Sequence, residues 1–213
     1  MKVLLFGASG HIGAVIAQEL LSRGHQVTAV SRTGSAPVED PGLTARSGDA
    51  SDPGVVASLA EGHDAVASAV GPRLGQEDDR EVIIGATRGL IDGLRKTSVR
   101  RLVALGGAGS LKVGPDTILV ESPTFPAMWR PNALAQNEAL GLYREVDDLD
   151  WTFVSPAAQI EPGERTGTFR VGGDELMQDA EGHSKVSIPD FAVAFVDELE
   201  SGSAIRRRIS VAY

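Results

Sequence analysis

Residues 1–13 read MKVLLFGASGHIG, an apolar run Val3-Leu4-Leu5-Phe6 that breaks into glycines at 7, 10 and 13. The run has the length and unbroken hydrophobicity of a strand buried on both faces, and from Ile12 to Leu21 apolar residues recur at helical spacing. The glycines therefore stand between a strand and a helix. A pyrophosphate binds where bare backbone N–H groups meet the partial positive charge of a helix N-terminus, and side chains there would block it. Gly7 permits the tight turn, Gly10 lets phosphates approach the backbone, and Gly13 lets the helix lie close to the strand. The spacing is G-x-x-G-x-x-G, not G-x-G-x-x-G, so the dinucleotide fingerprint is matched in mechanism and not letter for letter.

A chain of 213 residues with 42% hydrophobic content can bury one sizeable core, which favours a single domain over 1–213. It has no cysteine, which excludes disulfides, thiolate-bound zinc, iron–sulfur clusters and a thiol nucleophile, and fits a reducing compartment. Any redox chemistry has to come from a bound cofactor. The longest apolar runs are strand-sized and Met1-Lys2 leads straight into a strand, so neither a membrane span nor a signal peptide is expected and the chain is assigned to the cytoplasm. Net charge is −9, with 29 acidic residues spread along the chain. The one dense basic cluster, Arg206-Arg207-Arg208, falls in a terminal strand pattern and reads as a solvated face or as carboxylate partners, which argues against nucleic acid as a partner. His11, His25, His63 and His183 are scattered without metal-ligand spacing, so no metal site is expected.

Strand patterns recur over 2–6, 26–31, 43–47, 65–70, 101–105 and 151–155, with helical patterns over 12–23, 53–61, 80–96, 131–146 and, more weakly, 189–200. Asp52 stands as the cap of the second helix. Alternation of this kind predicts an α/β fold with a parallel sheet and helices on both faces. The stretch 107–130 is a long, proline-rich loop of the sort that serves a site. Beyond 155 the pattern changes: prolines and glycines crowd 156–190, short strands are expected over 168–171 and 176–178, and the region reads as a small lobe covering the substrate. A last strand runs over 207–212.

Several segments carry a likeness that runs nearly end to end: GASGHIG at 7–13, VSRT at 30–33, SGDASDP at 47–53, AVGP at 69–72, LGGAGSL at 105–111, DWTFVSP at 150–156, GERTGTFRVGGDEL at 163–176 and GHSKVSIPDFAVAFVDELE at 182–200. Together they resemble the atypical short-chain dehydrogenase/reductase group of NAD(P)H-binding and NADH-flavin reductase-like proteins, related to the biliverdin reductase B type and to NmrA-like proteins. The resemblance implies a Rossmann-like doubly wound parallel sheet with a small C-terminal substrate-covering lobe. It places Gly7, Ser9, Gly10, His11, Ile12 and Gly13 around the pyrophosphate, Asp49 and Ala50 beside the adenine, and Ala69, Val70 and Gly71 along the nicotinamide ribose. His11 matters there through its backbone N–H, with its ring toward solvent or cofactor. Arg32 ends the second strand, where NAD-specific enzymes carry an acid for the ribose 2′-hydroxyl. A guanidinium offers forked donors to a 2′-phosphate and a flat face to adenine, so NADP(H) is expected in preference to NAD(H), which stays admitted.

Orthodox short-chain dehydrogenases pair a helical Tyr-x-x-x-Lys with a serine at the end of the fifth strand. Here Tyr143 is followed four residues later by Asp147, a carboxylate that would raise a neighbouring phenol's pKa, and the fifth-strand positions read Gly106-Gly107. Hydride transfer to an acceptor that stabilises its own negative charge, a flavin or a quinone, survives this loss, because position and water exclusion supply most of the rate. Ser110 is the nearest hydroxyl for proton delivery, set against a loop serine bonded to its own backbone. Phe125, Met128 and Trp129 are placed either to stack on a flat acceptor as a lid or to pin the long loop to the core. Arg165, in the lobe, is a candidate for an anionic group of the substrate. Three functions fit: an NAD(P)H-dependent reductase of flavin or another flat conjugated molecule, an oxidoreductase tailoring an aromatic or quinonoid metabolite in a biosynthetic pathway, and a non-catalytic NmrA-like NAD(P)H sensor. Replacing Arg32 by Ala is expected to weaken NADPH binding by about 1–3 kcal/mol, as for a lost charged hydrogen bond, and to leave NADH nearly unchanged. Titration of both dinucleotides by fluorescence checks it, and an equal loss for the two contradicts the 2′-phosphate role.

Overall fold

Val3 and Leu5 belong to the apolar cluster on one face of the central sheet, while Leu4 and Phe6 belong to the cluster on the other, and all four are buried. A strand covered on both sides has no solvent face to make polar, which is why its sequence does not alternate. The computed structural model describes residues 1–71 and 79–213. In chain order the first half comprises β1 (Lys2–Phe6), α1 (His11–Ser22), β2 (Gln26–Ser31), β3 (Leu43–Ser47), α2 (Pro53–Ala60), β4 (Ala65–Ser68), α3 (Asp79–Leu94) and β5 (Arg101–Leu105). A hairpin of β6 (Lys112–Gly114) and β7 (Thr117–Ile118) leads to two single 3-10 turns and α4 (Arg130–Arg144). The second half continues with β8 (Asp150–Pro156), β9 (Gln159–Glu161), β10 (Arg170–Gly172), β11 (Lys185–Ser187), α5 (Ile188–Ser201) and β12 (Arg207–Ala212).

The main sheet has the order β10-β12-β8-β5-β4-β1-β2-β3, parallel throughout except for the antiparallel edge strand β10. This is a Rossmann-like doubly wound fold. One face is closed by α1 and α5, with Ile16, Leu20, Phe191 and Phe195 fully buried, and the other by α2, α3 and α4, with Val56, Leu90 and Tyr143 buried in one cluster with Phe153 of β8. Strand order reverses at β1, which pairs with β2 on one side and β4 on the other. Parallel connections that leave in opposite directions open a crevice there, at the carboxyl ends of the strands.

Residues 156–190 give the main sheet its edge strand β10 and pair β9 with β11, and they are tied back on both sides. Buried Asp190 accepts the backbone N–H groups of Thr166 and Gly167 (2.8 Å each), the Thr166 hydroxyl (2.6 Å) and the Tyr213 hydroxyl (2.8 Å). Burial works against its carboxylate form, but the Thr166, Gly167 and Tyr213 donors outweigh it and hold Asp190 below the usual carboxylate range. On the other side, Lys112 N–H donates to the Asp174 carbonyl and Leu176 N–H to the Lys112 carbonyl, both at 2.8 Å.

Two local expectations are corrected, and a third divides between its two alternatives. The fourth strand stops at Ser68, not at residue 70, because its neighbour β1 ends at Phe6 and offers Ala69 its last carbonyl. Residues 176–178 form no strand, since a single bridge, Lys112 to Glu175, is all the pairing the loop above them provides. Of the terminal arginines, Arg207 is exposed but Arg208 is buried, with its guanidinium on Asp174. Arg208 therefore follows the carboxylate-partner alternative and Arg207 the solvated one.

A regular glycine spacing in α3 carries packing that the sequence reading missed. A Cβ on Gly89 would stand 2.1 Å from the Ala50 carbonyl oxygen, and one on Gly93 would stand 2.6 Å from Val56. These glycines let α3 lie directly on the β3–α2 connection. Gly141 in α4 has nothing within 4 Å of its Cβ position. Gly89→Ala is expected to destabilise by about 1–3 kcal/mol through overpacking, whereas Gly141→Ala stabilises by about 0.5–1 kcal/mol. Urea unfolding of the two variants checks the opposite signs.

Candidate functional site

The turn after β1 is fixed by contacts that tolerate no side chain. Gly7 has φ +76°, and a Cβ on it would stand 2.6 Å from the Ala69 carbonyl; one on Gly13 would stand 2.1 Å from the Gly7 oxygen. Gly10 is different. Its backbone is ordinary, at φ −78°, and a Cβ there would meet only the Gly7 oxygen at 3.4 Å. No protein atom requires a glycine at that position, and the space its missing side chain leaves lies over the first turn of α1. Helices α2 and α5 begin with side-chain caps, Asp52 and Ser187, while α1 begins at Gly10 with none and has no acid in its first turn. Its leading N–H groups face outward without an acceptor. This is the arrangement that receives a pyrophosphate.

Ser9, Gly10 and the His11 side chain are exposed and Ile12 is partly so. Arg32 is exposed just past β2, and among the described residues it forms no hydrogen bond or ion pair; its charge acts on Asp49. The Asp49 Oδ1 accepts the backbone N–H of Ser51 at 2.9 Å and its hydroxyl at 2.8 Å. Those donors, with Arg32, hold the Asp49 carboxyl below its usual range, and one oxygen is left outward. Ala50 is buried under α3. Ala69, Val70 and Gly71 follow β4 against the Gly7 turn, whereas Pro72 lies outside the described residues. The sequence-predicted residues of the dinucleotide end are therefore brought to one edge of the crevice, with shape and charge that fit the group.

The residues expected at the reacting end are less uniform. Tyr143 sits in the last turn of α4, 2% exposed, between the rings of Trp151 and Phe153 at 5.8 Å each. Burial raises its pKa far above the ordinary value, opposed only by a hydrogen bond with Thr87. Asp147 is not the cause, a correction to the sequence reading. Ser110 is buried and bonded not to its own backbone but to Arg208, whose NH1 donates to Oγ at 2.9 Å while its Nε donates to Asp174 at 2.8 Å. Arg208 had no signal beyond its place in a basic triplet.

Met128 is 76% and Trp129 38% exposed, so neither pins the loop to the core. That task falls to Val120, whose N–H donates to the Gly109 carbonyl at 2.9 Å and whose carbonyl accepts Arg130 NH1 at 2.6 Å. Phe125 lies under the Arg130 guanidinium, 5.8 Å from its ring centre. Arg165 is engaged by both oxygens of Glu19 at 2.8 Å, six residues or about 9 Å further along α1 than Gly13. Its guanidinium is committed to that pair, which removes it from the crevice. Asp179, Glu181 and His183 converge on an exposed turn, where Asp179 Oδ1 accepts the N–H groups of the other two. Replacing Gly10 by Ala is expected to change stability by less than about 1 kcal/mol but to weaken NADPH and NADH binding alike by at least tenfold. Paired melting and titration experiments check it, and unaltered affinity contradicts the phosphate role of this turn.

With the geometry in place, comparison with known proteins is consistent with it. The model of the NAD(P)H-binding family matches residues 7–200. The Bacillus subtilis protein YwnB, described as uncharacterized, is 37% identical over 99% of this chain and 98% of its own. A Burkholderia pseudomallei structure, called a "putative exported protein", is 46% identical with a TM-score of 0.91 over the whole of both chains. A Streptococcus pneumoniae structure, called a "putative NADH-flavin reductase", is 34% identical with a TM-score of 0.85 over 100% of this chain and 99% of that one. No helix among the described residues is long and apolar enough to cross a membrane. The chain belongs to the NAD(P)H-binding family of oxidoreductase-like Rossmann proteins.

Proposed function

We propose that the protein is an NADPH-preferring reductase of flavin or another flat conjugated small molecule, acting without a phenol acid. The observation that carries this reading is the uncapped start of α1 over the Gly10 space, with Arg32 unpaired among the described residues and the one phenol of α4 sealed in the core. The bound dinucleotide supplies the hydride, so the acceptor gains two electrons and one hydrogen from it and a balancing proton from water.

The residues of this chain do the holding. The N–H groups of residues 11–13 take the pyrophosphate, Arg32 takes the 2′-phosphate, and the outward oxygen of Asp49 accepts from the adenine amino group. Ala69, Val70 and Gly71 wall the nicotinamide ribose. The exposed Met128 and Trp129 stack on the acceptor's second face, and the 156–190 lobe excludes water from its outer side. Ser110 keeps its own proton free, since its oxygen is the acceptor of the Arg208 bond, and it passes a proton inward from solvent. The streptococcal relative's name supports a flavin as acceptor. A quinonoid metabolite meets the same stacking surface. A sensor that binds the dinucleotide and turns nothing over is favoured by one observation, the burial of Ser110.

Steady-state oxidation of NADPH and NADH against FMN, FAD, riboflavin and several quinones tests the reading. Turnover with at least one acceptor is expected, faster with NADPH, and Tyr143→Phe leaves it nearly unchanged. A general acid contributes about 10²–10⁴-fold, so a collapse of that size with the fold intact restores the phenol. Tight dinucleotide binding with no oxidation by any acceptor makes the protein a sensor.

A further inference from the structure

Among the described residues four buried side-chain polar atoms lack a hydrogen-bond partner: His63 Nδ1, Arg101 Nε, Asn132 Nδ2 and Ser155 Oγ. The first two lie at the amino-terminal ends of strands, and both side chains are otherwise engaged. His63 Nε2 meets the Thr28 hydroxyl at 2.8 Å, and Arg101 reaches Thr152 and Glu198 at 2.8 Å. Asn132 and Ser155 lie instead at the carboxyl end of the sheet, in the first turn of α4 and near the end of β8. A buried amide N–H without a partner is costly to leave. Beside a ligand crevice, its missing acceptor is one that arrives with the ligand.

The position of Asn132 is set by glycines. A Cβ on Gly109 would stand 2.5 Å from the Ala133 Cβ, and one on Gly107 would stand 3.1 Å from the Gln136 Cβ, so the first two turns of α4 press directly on the exit of β5. Asn132 and Gln136, four residues apart, share one helix face. Gln136 is 4% exposed and lines a small cavity with Ser68, Val70, Leu105 and Tyr143, against the wall assigned above to the nicotinamide ribose. Asn132 stands one turn, about 5.4 Å, nearer the helix start and the mouth of the crevice.

We propose that Asn132 is a substrate-binding residue, whose Nδ2–H group donates to the carbonyl oxygen or ring nitrogen on which negative charge builds as the hydride arrives. The assignment rests on the reductase reading and narrows the acceptor class to flat conjugated molecules bearing such an atom. An amide is a donor that keeps its proton, so it stabilises developing charge while water supplies the proton that completes the reduction. Ser110 then serves as the relay and Asn132 as the anchor.

Asn132→Asp has the same shape and loses the donor only when its carboxyl ionises. FMN affinity for the NADP⁺-loaded protein and single-turnover oxidation of NADPH by FMN are measured between pH 5 and 9, for wild type, Asn132→Asp and Asn132→Leu. At pH 8 both variants are expected to bind FMN at least tenfold more weakly. The hydride step should slow by about 10²-fold, as for one lost donor to a developing charge, with melting temperature and NADPH affinity as in wild type. In Asn132→Asp, where burial raises the carboxyl above its usual range, both defects shrink as pH falls toward 5 and the carboxyl regains its proton; in Asn132→Leu they do not. Variants that match wild type overturn the assignment, as do losses that spread equally to NADPH binding and melting without recovery at low pH. Should FMN fail where a quinone is turned over, the same readouts are made with that quinone. Wild type that turns over no acceptor overturns the reductase reading itself, a separate outcome.

Discussion

The contact of the Gly7 turn with the Ala69 backbone is the constraint on which the rest of the molecule depends. At an approach where a Cβ would stand 2.6 Å from the Ala69 carbonyl, β1 and β4 run side by side to their last residues and then part. The crevice opens at that point. Gly13, closer still to the Gly7 oxygen, brings α1 down onto the same turn, so the positive end of the helix dipole sits at the crevice. A larger residue at 7 or 13 would separate strand from helix and lose the site together with the packing.

Charge is distributed around that opening in a consistent way. The proposed dinucleotide end has an exposed guanidinium that is unpaired among the described residues and an uncapped helix start, both suited to phosphate, while Glu19 of α1 is taken by Arg23 and Arg165. The reacting end has almost no titratable group. Tyr143 is buried in an aromatic cluster, and Arg208 is locked to Asp174. What remains there is neutral: glycines, the Ser110 hydroxyl, and the amides of Asn132 and Gln136. Such surroundings suit a reaction in which charge passes to a molecule able to carry it, and they do not suit one that needs an acid at neutral pH.

The sheet was legible because its signals are local. The strands over 2–6, 26–31, 101–105 and 207–212 are built around apolar residues bounded by turns, 43–47 is a more polar edge strand, and β1, β2, β5, β12 and β3 have those same limits. The glycine turn was legible for the same reason. Long-range pairing was not. Nothing near Arg208 in sequence announces Asp174 or Ser110, and Arg165 reads as a free cation until Glu19, distant in the chain, is found beneath it. The hairpin within 107–130 was hidden because two- and three-residue strands carry too little alternation to register. Glycines of α3 read as helix weakeners in isolation and become explicable only against Ala50 and Val56. Asn132 stands in no motif of the sequence, and its missing partner is visible only in three dimensions.

The central claim, direct hydride transfer from a dinucleotide held at the β1–β4 crevice, is tested most directly by isotopic substitution. NADPH carrying deuterium on one or the other face of nicotinamide C4 is mixed with the protein and an excess of its best acceptor, and oxidation is followed in a single turnover, so that product release does not mask the chemical step. A rigid site that presents one face predicts clear slowing with deuterium on that face and none with it on the other. Slowing with neither, or equal slowing with both at the rate seen without protein, would contradict the account.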